Sequence, residues 1–186
     1  MTKIISLYGG PGIGKSTTAA NLFVTLKNKG LNVELVTEYV KQWVWDNREP
    51  VMFDQFYFFA KQSRKEYSLF NKVDYIITDS PIAMCCYYSK LYGNQDENEC
   101  FKMMLKTYFN RCKLENSEHV HYLLQRTKPY NEVGRFQKEE RSIEMDKEIE
   151  DYLNEVGIDY KKVKDDELVK NFLIEKNHCY YLNSFE

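Results

Sequence analysis

Lys3-Ile4-Ile5-Ser6-Leu7-Tyr8-Gly9-Gly10-Pro11-Gly12-Ile13-Gly14-Lys15-Ser16-Thr17 decides how this chain folds. Lys3 to Tyr8 is short, largely apolar and rich in isoleucine, the composition of a buried strand, and it stops at two glycines. Gly9 to Ser16 then satisfies the spacing G-x-x-x-x-G-K-[ST] in full. Ser16 to Lys29 carries apolar residues at 19, 20, 22, 23 and 26, a helical spacing, and ends at Gly30. Strand, glycine loop and helix in that order make an anion cradle. Glycines let backbone N–H groups turn inward, and the helix dipole favours negative charge at its N-terminus. Gly10, Gly12, Ile13, Gly14, Lys15, Ser16 and Thr17 are therefore the expected nucleotide contacts, with ATP and Mg²⁺ as the cofactors. Lys15 would bridge the β- and γ-phosphates, and the Ser16 hydroxyl would ligate the metal.

Outward from the loop, strands and helices alternate. Asn32–Thr37, Asp74–Thr78, His119–Gln125 and a weaker Asp159–Val163 read as strands, and Asn32–Thr37 is expected to close the first βαβ unit beside the strand before the loop. Val51–Phe70, Ile82–Leu91, Glu97–Leu114 and Glu139–Glu155 read as helices. This pattern predicts an α/β domain of the P-loop NTPase class, spanning residues 1–186, with a five-stranded parallel sheet and helices on both faces. Ligands of such sheets sit beyond the carboxyl ends of the strands, where Gly9, Glu38, Asp79 and Arg126 fall. The polar segment Thr127 to Lys138, with Pro129 and Gly134, is the expected flap, a lid extending to about residue 141.

The formal charge of −2 gives no field that would gather a polyanion. Met1-Thr2-Lys3 runs straight into the first strand and no apolar run approaches a membrane span, so a cytoplasmic location without membrane contact is expected. Cysteines at 85, 86, 100, 112 and 179 lack C-x-x-C spacing and are expected to be reduced thiols. His119 and His121 share a strand face that would suit a metal, but with no third ligand nearby a strand-end or surface role is expected.

A phosphate loop alone does not separate kinases from GTPases and motors. Asn71-Lys72-Val73-Asp74 spells N-K-x-D, but it precedes a strand instead of following one, so it is taken as coincidence. Asp79 follows an apolar strand, as a metal-holding aspartate would, and is followed by Ser80 and Pro81 with no carboxylate to polarise a hydrolytic water. That argues against a motor. Glu38 could accept the proton of an attacking hydroxyl or bind a ribose. Arg126, Arg135 and Arg141 are the candidates to offset charge on a transferring phosphoryl, and Lys128 and Lys138 lie among them. Between Tyr39 and Arg64, aromatics interleave with glutamines; most should pack in the core, leaving Trp43, Gln62 and Arg64 with Glu38 as acceptor contacts.

Four features together resemble one family. They are Gly9 to Thr17, Thr37-Glu38-Tyr39, Ile76-Ile77-Thr78-Asp79-Ser80-Pro81, and Gly134-Arg135 followed by Arg141. They are similar to the P-loop kinases of the NadR-type AAA domain family, which includes a ribosylnicotinamide kinase domain and small bacteriophage kinases. The resemblance implies a nucleoside- or nucleotide-kinase-like fold, with Glu38 and Asp79 in the catalytic pocket and Arg135 and Arg141 in the lid. Glu132-Val133-Gly134-Arg135 stands where the ribosylnicotinamide kinases have acidic-Gly-Leu-Arg, which points away from nicotinamide riboside as acceptor. The expectation is an ATP-dependent kinase acting on a small nucleoside-like or nucleotide-like acceptor. A kinase acting on 5-hydroxymethyluracil in phage DNA and a non-catalytic nucleotide-binding module are the alternatives.

Overall fold

A computed structural model of the chain describes residues 1–48, 51, 53–127, 129–131, 133, 135 and 137–170. Lys128 and Gly134 of the expected flap, and Cys179, lie outside the described residues. The strands are β1 (Thr2–Tyr8), β2 (Val33–Val36), β3 (Tyr75–Thr78), β4 (Ser117–Leu124) and β5 (Lys161–Val163). The helices are α1 (Lys15–Asn28), α2 (Lys41–Trp45), α3 (Asp54–Tyr67), α4 (Ile82–Tyr92), α5 (Gln95–Leu114) and α6 (Glu139–Glu155).

All five strands are parallel, in the order β2-β3-β1-β4-β5. Alternation along β1 assigns the two faces. Ile5 and Leu7 pack against Ala19, Leu22 and Leu26 of α1, while Ile4 and Tyr8 pack into a larger cluster supplied by α3, α4, α5 and α6. Every side chain of β3 is buried, whereas β2 is buried only at its ends. The expected βαβ pairing of the first two strands is therefore corrected: β3 lies between β1 and β2. A strand apolar on both faces stabilises the sheet most at its centre, and β2, with Glu34 half-exposed, is suited to the edge.

Two local features depart from the expected boundaries. Helix α2 has only five residues, too few to show a periodicity, and exists around the buried Trp43. Helix α5 starts at Gln95 because Asn94 and Glu97 form a capping box: Glu97 N–H donates to Asn94 Oδ1 at 3.0 Å and Asn94 N–H donates to Glu97 Oε2 at 2.8 Å. The N-K-x-D stretch sits at the amino end of β3, on the sheet edge opposite the glycine loop. There Asp74 Oδ2 accepts the Asn32 N–H at 3.0 Å, so the stretch ties strand starts together and contacts no part of the cleft.

His119 and His121 are half-buried on β4. Their rings stack at 5.2 Å and 11°, with Phe109 edge-on to both. Burial holds them neutral, depressing the His119 and His121 pKa values from 6.5 to about 3 and about 4. Among the described residues no group of three ligating side chains could hold a metal. No helix among them is long and apolar enough to cross a membrane.

Candidate active site

The loop between β1 and α1 forms one end of a cavity of about 1040 Å³ beyond the carboxyl ends of the strands. Gly14 precedes α1 with φ 107°, a left-handed conformation that strains any residue with a Cβ. No side chain caps α1 and no acid lies in its first turn, so its N–H groups keep their positive end for an anion. Lys15 Nζ donates to the Gly9 carbonyl at 2.6 Å and to the Gly10 carbonyl at 3.0 Å. Burial lowers the Lys15 pKa from its ordinary 10.5, while Glu38, Asp79 and Asp146 pull it back up.

Strand order explains the two acids. Asp79 follows β3, the strand beside the loop, and is 4% exposed. Because β2 pairs with β3 in the register Val36 with Thr78, their carboxyl ends lie side by side: the N–H of Glu38, two residues past β2, donates to Oδ1 of Asp79, one residue past β3, at 2.9 Å. Glu38, half-buried on the cavity wall, has its pKa raised by burial; Lys15 opposes that shift and Asp79 adds to it. A carboxyl that keeps its proton more readily than usual, with an ammonium as its nearest opposing charge, is suited to general base chemistry.

Away from the loop the cavity wall changes character. Gln55 and Gln62, two helical turns apart on one face of α3, are 5% and 2% exposed and both line it. Gln62 Nε2 donates to Thr78 Oγ1 at 3.1 Å, which fixes the amide. Tyr39, Phe58, Met84 and Tyr88 supply apolar walls, and Lys41 is a second cation near Glu38, after Lys15. Behind Gln62, the buried Glu66 accepts a short hydrogen bond from Tyr108, and burial raises its pKa from 4.5 to about 7.

Of the expected site residues, Gly12, Gly14, Lys15, Ser16, Thr17, Glu38, Gln62, Arg135 and Arg141 line this cavity. Ile13 is 2% exposed and packs into the core beneath the loop. Trp43 is a correction: it is a core residue, edge-on to Phe58 at 4.8 Å, with the Arg48 guanidinium 3.5 Å above its ring. Arg64 is another, standing exposed on α3 outside the cavity lining. Arg141 reaches the cavity but is held by Glu148 at 2.6 and 2.9 Å and by Glu144 at 3.1 Å. Arg135 stands 5.3 Å from the Tyr130 ring centroid, and that ring lies against Gly12. Arg126 turns away from the cavity to Asp146 and the outer side of the loop. Neither Gln55 nor Asp146 stood out in the sequence. The only signal for Asp146 is an acid four residues after Ser142, beside the Met145–Ile149–Tyr152 core stripe of α6.

The chain matches the AAA domain family over residues 4–168. No curated protein matches it in sequence. Among solved structures, NadR protein in complex with NR is similar at a TM-score of 0.63 and 19% identity, covering 88% of this chain and 43% of that one. NadR in complex with NAD and AMP-PNP gives 0.60 and 19%, covering 88% and 44%. Deoxyadenosine kinase from M. mycoides, with products dCMP and dCDP bound, gives 0.56 and 16%, covering 94% and 99%. The chain thus spans less than half the length of the NadR chains and nearly all of the deoxyadenosine kinase, and these likenesses are of fold. Matched over most of its length, the chain belongs to the AAA domain family.

Proposed function

We propose that the protein is an ATP-dependent kinase that transfers the γ-phosphoryl group to a hydroxyl of a neutral, nucleoside-like acceptor. The observation that carries this is the cavity itself: Lys15 and Glu38 share one end, and the other is walled by buried amides and aromatics. Gln55 and Gln62 can pair with the polar edge of a heterocycle while Phe58, Tyr39 and Tyr88 pack on its faces. An acceptor phosphate would need cations at that end. Arg141 is already satisfied by two glutamates and Lys41 lies near Glu38, which favours a nucleoside over a nucleotide.

In the transfer, the acceptor oxygen forms a bond to the γ-phosphorus as the bond from that phosphorus to the β,γ-bridging oxygen breaks, and the hydroxyl proton passes to Glu38. Lys15, held at the loop by the Gly9 and Gly10 carbonyls, meets charge on the phosphoryl oxygens. Ser16 and Asp79 fit Mg²⁺: both offer hard oxygens, Ser16 opens onto the cavity, and Asp79 is aligned by the Glu38 N–H to act through water. When bound, the cation supplies charge neutralisation at the phosphates. Arg135, Lys138 and Arg141, on the lid side, and Lys41 are the other cations that line the cavity.

A hydroxymethylated base in DNA is the second reading, favoured by Trp45 and Tyr92, which line the cavity and are 56% and 58% exposed, so that a base could stack at the mouth. One experiment tests both: acceptor-dependent ADP release with nucleosides, nucleoside monophosphates and hydroxymethyluracil-containing oligonucleotides. Turnover on nucleosides alone supports the first, turnover on oligonucleotides alone the second, and ATP hydrolysis indifferent to every acceptor rejects both.

A further inference from the structure

Asp146 lies within α6, outside every motif, yet it touches the phosphate loop. Its Oδ1 accepts the Gly10 N–H at 2.7 Å. The same carboxylate takes the Arg126 fork, Nε to Oδ2 at 2.8 Å and Nη2 to Oδ1 at 3.1 Å, in a pair whose side chains are 16% and 24% exposed. Arg126 Nη2 also donates to the Pro11 carbonyl and to Ser142 Oγ, each at 3.0 Å, and the Ser142 hydroxyl donates to the Pro11 carbonyl as well. Asp146, Arg126 and Ser142 are absent from the cavity wall, so they hold Gly10 and Pro11 from outside. Helix α6 approaches so closely that a Cβ on Gly10 would stand 2.5 Å from Asp146 Oδ1 and 2.6 Å from the Ser142 carbonyl oxygen.

The peptide joining Gly9 to Gly10 is thus held at both ends. Its N–H points to the Asp146 carboxylate and its carbonyl accepts Lys15 Nζ at 2.6 Å. A charged acceptor on the N–H polarises the peptide and strengthens its carbonyl as an acceptor, so the two hydrogen bonds reinforce one another. We infer that Asp146 is a positioning residue for the donor site: through the Gly9–Gly10 peptide it sets the loop backbone and the Lys15 ammonium, and Arg126 serves as its partner instead of contacting the transferring phosphoryl. This deepens the kinase reading and rests on its claim that the loop binds a nucleoside triphosphate.

The test uses the full chain with MgADP, by fluorescence titration without acceptor, and steady-state kinetics where an acceptor turns over. Asp146→Ala should weaken MgADP binding and raise the ATP KM about tenfold or more, leave the acceptor KM within about twofold, and move the Gly10 amide proton resonance upfield. Asp146→Asn, which keeps an oxygen for the N–H but not the charge, should fall between and serves if the alanine variant does not fold. Arg126→Ala should mimic Asp146→Ala, with the double variant no weaker than either single one. Unchanged MgADP affinity in Asp146→Asn and Asp146→Ala overturns the inference. So does an Arg126→Ala that loses turnover about 100-fold at unchanged nucleotide affinity. A chain that transfers no phosphoryl but shows the Asp146-dependent loss of MgADP binding refutes the kinase reading and keeps this one.

Discussion

The two ends of the cavity are built from different materials. The donor end is mostly backbone: helix N–H groups, loop carbonyls holding Lys15, and a glycine at φ 107°. The end proposed for the acceptor is side chains drawn from the segment after β2 and from α2, α3 and α4, and only packing brings Gln55, Gln62, Tyr39 and Tyr88 to one wall. A backbone site tolerates little variation, because each N–H position follows from φ and ψ. A side-chain site is re-specified by single substitutions, and chemical selectivity therefore resides there.

The sharpest way to break this contrast is Lys15→Ala. It should lower kcat about 100- to 1,000-fold, about 3–4 kcal/mol, with the acceptor KM little changed. Activity within tenfold of the parent in a coupled ADP assay would mean that the loop does not host the chemistry. Next in size is a stability effect behind the acceptor wall. Glu66 is raised from 4.5 to about 7 by burial, so the folded state favours its neutral form. That contribution is complete below the ordinary carboxyl pKa and is lost as pH rises through about 7, a change of about 3 kcal/mol. Urea midpoints measured from pH 5 to pH 8.5 should fall in the parent more than in Glu66→Gln; parallel curves would show that Glu66 does not titrate differently on folding.

Glu38→Gln should reduce kcat about 100-fold while leaving MgADP affinity unchanged. With Glu38 in the proposed role of base and its pKa raised by burial, turnover should rise with pH through a limb above the ordinary carboxyl range, and the glutamine variant should lose that limb. An unshifted limb in Glu38→Gln assigns the base elsewhere. The smallest effects sharpen the acceptor wall. Gln62→Ala should raise the acceptor KM about tenfold, and Arg64→Ala should change it by less than about twofold. Equal effects would mean that the acceptor extends along the outside of α3.

The phosphate loop, the parallel α/β pattern and the strand-end acids were legible in the sequence because each depends on neighbours a few residues apart. Glu38 and Gln62, singled out this way, both line the cavity. Trp43 and Arg64 were not separable from them, since all lie in one aromatic and amide-rich stretch, and burial on one side of α2 and α3 decides which side chain faces a ligand. Arg126 sits at a strand end, as a phosphate-binding arginine would. A carboxylate 20 residues later turns it toward the outer side of the loop.

By itself the sequence determined an anion-binding loop between a strand and a helix, because glycine spacing and backbone geometry are local properties. Tertiary structure alone decided that β3 stands beside β1, so that Asp79 lies next to the loop and aligns Glu38. It also decided that α6 presses Asp146 onto Gly10 and that two glutamines on α3 share a wall with Tyr88 of α4. These are contacts between residues 26 to 136 positions apart, and such contacts follow from how apolar faces bury one another across the sheet and not from the order of residues along the chain.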